Sequence, residues 1–462
     1  MAALPFNLSS RGGLARQLVS ATLGGAIVRI AGMALTFLVG VQLARHLGPE
    51  GYGIYGTVMA VVLIMLVPAQ MGLHALAIRD ISVAMATRDF GAAKGAIMWF
   101  SVAIAVASLL VGGIGAGITL LFGSPDKLNT HAYLWGCITV PLMAVSTLGV
   151  SILRGFNRVL TAQLYDALLR PSLLAVAIFT ATLAFSSFDA STAVALQAAT
   201  SAGALFITVL KVVSLLTSEI TQATSKARPD EWRRSAMSIT GTEIVRTVDG
   251  QYAVFLVGML ASLHDAGIFR VALATAGFIG LPLTLINLVV MPYIAQFHAT
   301  DDVKRLKMIV SGAAIFTFGS TLLIALASAA FGEVMLAKVF GTAYRDGWSI
   351  LMLLSLGFAV NGFFGSLGGL LNMTGHERVV TSAFALGFMF NLIMSITLFS
   401  LLGVDAVGVA FIGSELLKGI FMQRVARRKL KIDSTAISGI VNIWRHLRSS
   451  AVAPRSGLHT NE

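Results

Sequence analysis

Charge is what this sequence has least of. Its 462 residues carry 33 Lys+Arg and 21 Asp+Glu, 12% of the chain, about half the ~25% usual for soluble domains. A soluble domain of this size needs charge to cover its surface. No long polar stretch remains from which to build a sizeable catalytic domain, so a soluble enzyme is excluded. Cysteine is almost absent as well. Cys137 alone, inside an apolar run, allows no intramolecular disulfide and no Cys metal site, and reads as a small buried side chain. Gly112-Gly113 and Gly368-Gly369 lead to no Lys-Ser/Thr, so they read as close helix packing and not as phosphate loops, and ATP hydrolysis is not expected. There is no His-Glu-x-x-His and no Gly-x-Ser-x-Gly, and neither a metal nor a cofactor is expected. The start shows no cleavable signal pattern: the first apolar run follows Arg11 and Arg16, is long enough to span, and contains Arg29.

What is abundant is apolar. Hydrophobic residues make up 56%, and mean hydropathy is +0.84. Apolar segments follow one another far beyond the roughly 10 residues of a barrel strand. The expected class is an all-α polytopic membrane protein with about 12 transmembrane helices. The runs lie near 18–44, 54–78, 95–122, 131–153, 162–185, 192–216, 237–261, 267–297, 308–332, 347–372, 379–402 and 404–423. A polar stretch from Glu219 to Arg234, holding Pro229, separates six spans from six. The expected divisions are a lobe at 1–217, a cytoplasmic linker at 218–236, a lobe at 237–423 and a basic tail at 424–462.

Lys and Arg set the orientation. Twenty-three lie in connections on one side, among them Arg79, Arg154, Lys226, Lys304 and the cluster from Arg424, while Arg45, Lys127, Lys338 and Arg345 lie on the other. That bias predicts cytoplasmic termini. A net charge of +12 then reflects basic loops beside anionic lipid, not nucleic acid. In the tail, Ile437, Ile440, Val441, Trp444 and Leu447 recur at helical spacing, the pattern of an interfacial helix.

The two halves repeat in order. Ile27-Val28-Arg29 recurs as Ile244-Val245-Arg246, Gly53-Ile54-Tyr55 as Gly267-Ile268-Phe269, and Gly155 to Val159 as Gly375 to Val379, at offsets of 217, 214 and 220. Six spans per repeat give both halves one orientation, which predicts two pseudo-symmetric six-helix bundles related by an axis along the membrane normal and facing a V-shaped central cavity.

Ten charges fall inside spans: Arg29, Asp166, Arg170, Lys211, Glu243, Arg246, Asp249, Arg270, Glu415 and Lys418. Each costs about 2.5–3.5 kcal/mol at mid-bilayer, so they must face protein or water. Asp166 with Arg170 and Glu415 with Lys418 have intrahelical pairing distances, and Glu243, Arg246 and Asp249 form one stripe. Lys211 and Arg270 lie near span ends, where they can snorkel. Arg29 has no acidic residue in its span, and Arg246 is its repeat mate. Two guanidiniums at matched depth suit a phosphate or diphosphate. Arg29 and Arg246 are therefore the candidate substrate contacts, and Glu243 and Asp249 the candidate orienting or coupling carboxylates. Asp166, Arg170 and Arg270 are secondary candidates.

The stretch Leu43-Ala44-Arg45-His46-Leu47-Gly48-Pro49-Glu50-Gly51-Tyr52-Gly53-Ile54-Tyr55 resembles a signature of polysaccharide and oligosaccharide flippases. Leu153-Arg154-Gly155, Asp265 to Phe269, Met291-Pro292, Phe340 to Tyr344 and Leu371 to Gly375 resemble further elements of that family. The resemblance implies the multidrug/oligosaccharidyl-lipid/polysaccharide exporter superfamily. It further implies an undecaprenyl-diphosphate-linked glycan as substrate, moved by alternating access across the cytoplasmic (inner) membrane for surface polysaccharides such as lipopolysaccharide or exopolysaccharide. Membrane lipid, a polysaccharide polymerase and glycosyltransferases are the partners it implies. The alternative is a multidrug or organic-cation antiporter of the same superfamily, which needs an acidic cavity. A membrane-embedded glycosyltransferase or polymerase is disfavoured by the short outer connections, and a non-transporting scaffold by the set of in-span charges.

Overall fold

The computed structural model describes residues 11–122, 127–184 and 188–438, with side chains at 11–23, 26, 127, 128, 234, 237–239, 242 and 246 outside that description. Among the described residues there is no strand. The first helix, α1 (Arg11–Gln70), has 60 residues, about 90 Å if straight, three bilayer thicknesses. It therefore folds at Gly48, whose φ of 65° and ψ of 178° interrupt the helix. Pro49 opens the second half, where a missing N–H leaves nothing unsatisfied. Spans 1 and 2 are thus the two arms of α1. Span 2 breaks again at Met71 and Gly72, with φ of 48° and 65°, before α2 (Leu73–Ala86) continues it.

Spans 3 and 4 are α3 (Phe90–Phe122) and α4 (Lys127–Gly155). Span 5 is α5 (Val159–Gln163), a π turn at Leu164–Leu169 and α6 (Arg170–Ala184). Span 6 is α7 (Ala190–Leu215), after which come a short α8 (Ser218–Gln222) and span 7, α9 (Pro229–Leu260). Span 8 is α10 (Leu263–Ala276) and α11 (Leu281–Ala299), joined by a 3₁₀ turn at Gly277–Gly280 that places Pro282 at a helix start. Span 9 is α12 (Val303–Val339), and a 3₁₀ turn at Thr342–Gly347 leads into α13 (Trp348–Phe364) and α14 (Leu367–Met373), which make span 10. The last two are α15 (Glu377–Leu402) and α16 (Asp405–Lys429). Nine stretches of the described residues are long and apolar enough to cross a bilayer. One of them, Ile27–Gln70, is the folded pair of arms. Adding α9 and α16, whose in-span charges make them more polar, gives the expected twelve. The tail beyond Ser438, with its expected interfacial helix, lies outside the described residues.

Two compact units form. One comprises Met1–Ala274 with Val334–Gly347, the other Thr275–Glu333 with Trp348–Glu462. In the first, the stretch read as a linker is packed down. Lys226 N–H donates to the Gly91 carbonyl at 3.0 Å, and the buried Trp232 packs tilted against the Phe100 ring at 4.8 Å and donates to Asp80 at 2.5 Å. A Cβ on Gly91 or Gly95 would meet the carbonyls of Thr224 or Lys226 at 2.5 and 2.2 Å, so glycine there lets the strap lie on α3. Asp89 accepts from Ala92 N–H and from Lys226, which together hold its carboxyl below the usual range.

The repeat has a structural counterpart in the same unit. A Cβ on Gly53 would stand 1.7 Å from the Leu263 carbonyl oxygen, and one on Gly267 would stand 1.9 Å from that of Pro49. Each would also lie 3.0 Å from the other glycine's nitrogen. Gly53 to Gly267 and Pro49 to Leu263 are both steps of 214, so the two contacts exchange under the repeat. The repeat copies cross backbone to backbone, and only glycine fits at either position.

In the second unit, Ile294, Val310, Leu370 and Ala383 form the core. The Glu415–Lys418 pair is confirmed there. Both side chains are 6% exposed and 2.6 Å apart, and Asn361 donates to the carboxylate at 2.5 Å. Lys418 also lies over the Phe384 ring at 5.0 Å. The charges are matched, so the pair can sit among apolar helices without water.

Candidate functional site

Arg29 sits in the first arm of α1, and its side chain is exposed. Gly25, Arg29 and Gly32 step by four and three, one stripe of the helix. A Cβ on Gly25 would lie 2.8 Å from Gln163 Oε1, and one on Gly32 2.6 Å from the Ala167 carbonyl. Glycines on either side of Arg29 therefore seat α1 tightly against span 5, so that the arginine projects from a helix face fixed at both ends. Arg29 makes no ion pair among the described residues. Among the described residues, the close backbone packing at Gly25 and Gly32 is what fixes the helix that carries it.

Span 5 overturns one expected pairing. Asp166 does not bind Arg170; it binds Arg154 of α4 at 2.9 Å. Asp166 lies in the π turn at Leu164–Leu169, and its carboxylate is taken by an arginine of the neighbouring span. Arg170 is left half-buried with no ion pair among the described residues. Arg29 and Arg170 lie about one turn to either side of the Gly32–Ala167 contact, in parallel helices, which puts them roughly 9 Å apart along the axis.

Arg270, read as a snorkelling residue, is instead held inward. It donates to the Gly56 carbonyl at 3.0 Å and lies 5.4 and 5.3 Å from the rings of Tyr52 and Tyr55. Those rings stack at 6.2 Å, and Tyr55 donates to Gln197 at 3.1 Å. Two aromatic faces and a carbonyl stabilise a guanidinium without a carboxylate. The sequence signal was present, since Tyr52 and Tyr55 flank Gly53, but nothing in spacing alone brings span 8 to them.

The carboxylate candidates lie on α9. Glu243 lines a pocket of about 180 Å³ with Gln70, His74 and Thr247, walled by Leu63, Leu66 and Val67. The break at Met71 and Gly72 makes the pocket by turning His74 back under the end of α1. His74 Nδ1 is buried without a hydrogen-bond partner among the described residues. His74 reads from sequence as a packing residue, as a lone histidine in a span usually is, and only Gly72 signals the break beside it. Asp249 is half-buried and already engaged. Arg246 belongs to α9, and its side chain lies outside the described residues.

This is a multi-pass helical membrane protein with charged side chains set within its spans. The chain belongs to the polysaccharide biosynthesis protein family, whose model matches residues 20–298. No match is found among curated proteins. Its fold is that of the multidrug/oligosaccharidyl-lipid/polysaccharide exporter superfamily. It is similar to the lipid II flippase MurJ in an inward closed conformation, with a TM-score of 0.69 and 12% identity over 95% of this chain and 93% of that one. It is also similar to an inward-facing multidrug resistance MATE transporter, with a TM-score of 0.66 and 16% identity over 94% and 100%. A third solved structure is a transporter from Pyrococcus furiosus described as having a binding pocket of reverse polarity, with a TM-score of 0.57 and 16% identity over 89% and 95%.

Proposed function

We propose that this protein is a flippase that carries an undecaprenyl-diphosphate-linked oligosaccharide or polysaccharide repeat unit across the cytoplasmic membrane by alternating access. Its termini face the cytoplasm, and it acts with glycosyltransferases and a polymerase in surface polysaccharide assembly. The family supports this reading, and one observation carries it. Arg29 is an exposed guanidinium in the apolar first span with no ion pair among the described residues. Such a charge is costly unless it meets water or an anion, and a diphosphate accepts its forked hydrogen bonds. Arg246, one repeat away, is the second clamp, with Arg170 a further cation on span 5. Glu243, beside the unsatisfied His74 Nδ1, is the coupling carboxylate.

The test replaces Arg29 or Arg246 with Ala and follows glycan delivery to the outer leaflet at matched protein levels. Loss of delivery in either variant is expected. Full delivery in both removes the anion clamp. Glu243 in its pocket is the observation that favours the cation antiporter. That reading is adopted if deletion changes drug susceptibility and leaves glycan delivery intact.

A further inference from the structure

A second polar cavity lies in the second unit, at the end of α16, with a volume of about 730 Å³. Its construction begins at Lys431, whose φ of 55° turns the chain back on the helix. The returning segment is pinned there. Asp433 accepts from Gln423 at 2.9 Å and Arg427 at 2.5 Å, and Ser434 donates to Gln423 at 2.7 Å. Ile432 and Ala436 are each 1% exposed beneath it. Burial alone would raise the Asp433 carboxyl, but Thr435 and Arg427 bind it and hold it below the usual carboxylate range. Asp433 therefore stays ionised and neutralises Arg427. Lys307, Arg424 and Lys431 also line the cavity and make no ion pair among the described residues. The rim thus carries about three uncompensated positive charges. Below the rim the wall is apolar: Phe363, Leu416 and Ile420. Leu416 and Ile420 are 41% and 42% exposed on a membrane-spanning helix, so the cavity opens onto the surface that meets lipid.

We propose that this cavity binds an anionic phospholipid, its phosphate against Lys307, Arg424 and Lys431 and its acyl chain along Leu416 and Ile420. Charge complementarity selects the occupant. A basic rim over an apolar wall matches a negative headgroup on a hydrocarbon chain. The chain's own terminal segment, with Arg445, Arg448 and Arg455, has the wrong sign to fill it. A free phosphate satisfies the rim but leaves the apolar wall uncovered.

The experiment uses the purified full chain in detergent, titrated with phosphatidylglycerol, phosphatidylcholine, undecaprenyl diphosphate or inorganic phosphate and read by native mass spectrometry. Phosphatidylglycerol is expected to bind at least tenfold more tightly than phosphatidylcholine and to resist millimolar inorganic phosphate. Arg424→Gln with Lys431→Gln is expected to weaken it at least tenfold, while the lipid-free melting temperature stays unchanged. If that variant is misfolded, Lys307→Gln must show a smaller loss of the same kind. Equal binding of the two phospholipids, unchanged binding in the folded variants, displacement by inorganic phosphate, or selective binding of undecaprenyl diphosphate alone would overturn the proposal.

Discussion

Glu415 with Lys418 in α16 and Arg29 in α1 are all charges placed in membrane-spanning helices, yet their surroundings differ in kind. The α16 pair is closed. Each charge is 6% exposed, the other is 2.6 Å away, and Asn361 takes up a remaining carboxylate oxygen. Arg29 is open, exposed and without an ion pair among the described residues, on a helix held in place by Gly25 and Gly32. The first arrangement satisfies its charge internally and leaves nothing to bind. The second leaves a charge with no ion pair among the described residues, the one that the proposed function assigns to an anionic substrate. The open charge is the one the proposed function uses, and the closed pair belongs to the fold.

The comparison breaks most visibly at α16. Glu415→Leu leaves Lys418 buried without its partner and is expected to destabilise by about 3–5 kcal/mol. Adding Lys418→Met restores most of that, less about 1 kcal/mol for the orphaned Asn361 amide. Thermal unfolding of the single and double variants measures both. If the double variant is no more stable than the single, the pair is not closed in the sense argued here. The next effect is steric and concerns the repeat. Gly267→Ala or Gly53→Ala places a Cβ within 2 Å of a backbone carbonyl, which cannot relax as a side chain does. A loss of at least 1–3 kcal/mol is expected. Ala at Gly113, where a Cβ meets nothing within 4 Å, serves as the neutral control. The smallest effect is electrostatic and lies at the end of α16. Asp433 has a depressed carboxyl value in the folded chain. Its contribution to stability is therefore present above the ordinary carboxylate value and is lost as pH falls through the folded one. Asp433→Asn is expected to lower the unfolding midpoint on the neutral side, where the ionised carboxylate contributes, to leave the acid extreme nearly unchanged, and so to flatten the dependence between them. A parallel shift at all pH values would show that the carboxylate's charge is not what matters.

Much of this was legible in the residues. The scarcity of charge gives the membrane class, the apolar runs give the twelve spans, and the Gly53 and Gly267 triplets mark where the repeat copies meet. Glu415–Lys418 follows from spacing because a regular helix keeps residues three apart on one face. Asp166–Arg170 fails because Asp166 pairs instead with Arg154 of the neighbouring span, a tertiary contact that spacing within one helix does not show. The contacts of Arg270 and of the strap from Lys226 to Trp232 are not legible in sequence, because their partners lie 214 and more than 130 residues away, a distance that local pattern does not bridge. The pocket around Glu243 and His74 depends on left-handed backbone at Met71 and Gly72, and only the glycine announces it.

The claim that an open arginine binds the substrate's diphosphate is tested most directly by Arg29→Ala, with delivery of the lipid-linked glycan measured at matched membrane levels. Arg29 has no ion pair among the described residues, so stability is expected to change by no more than about 0.5 kcal/mol. Loss of a charge-assisted contact of about 1.5–3 kcal/mol is expected to lower delivery at least tenfold. Arg29→Lys, which keeps the charge but not the forked geometry, is expected to fall between. Unchanged delivery in Arg29→Ala, or a loss of delivery matched by loss of the folded protein, would contradict the account.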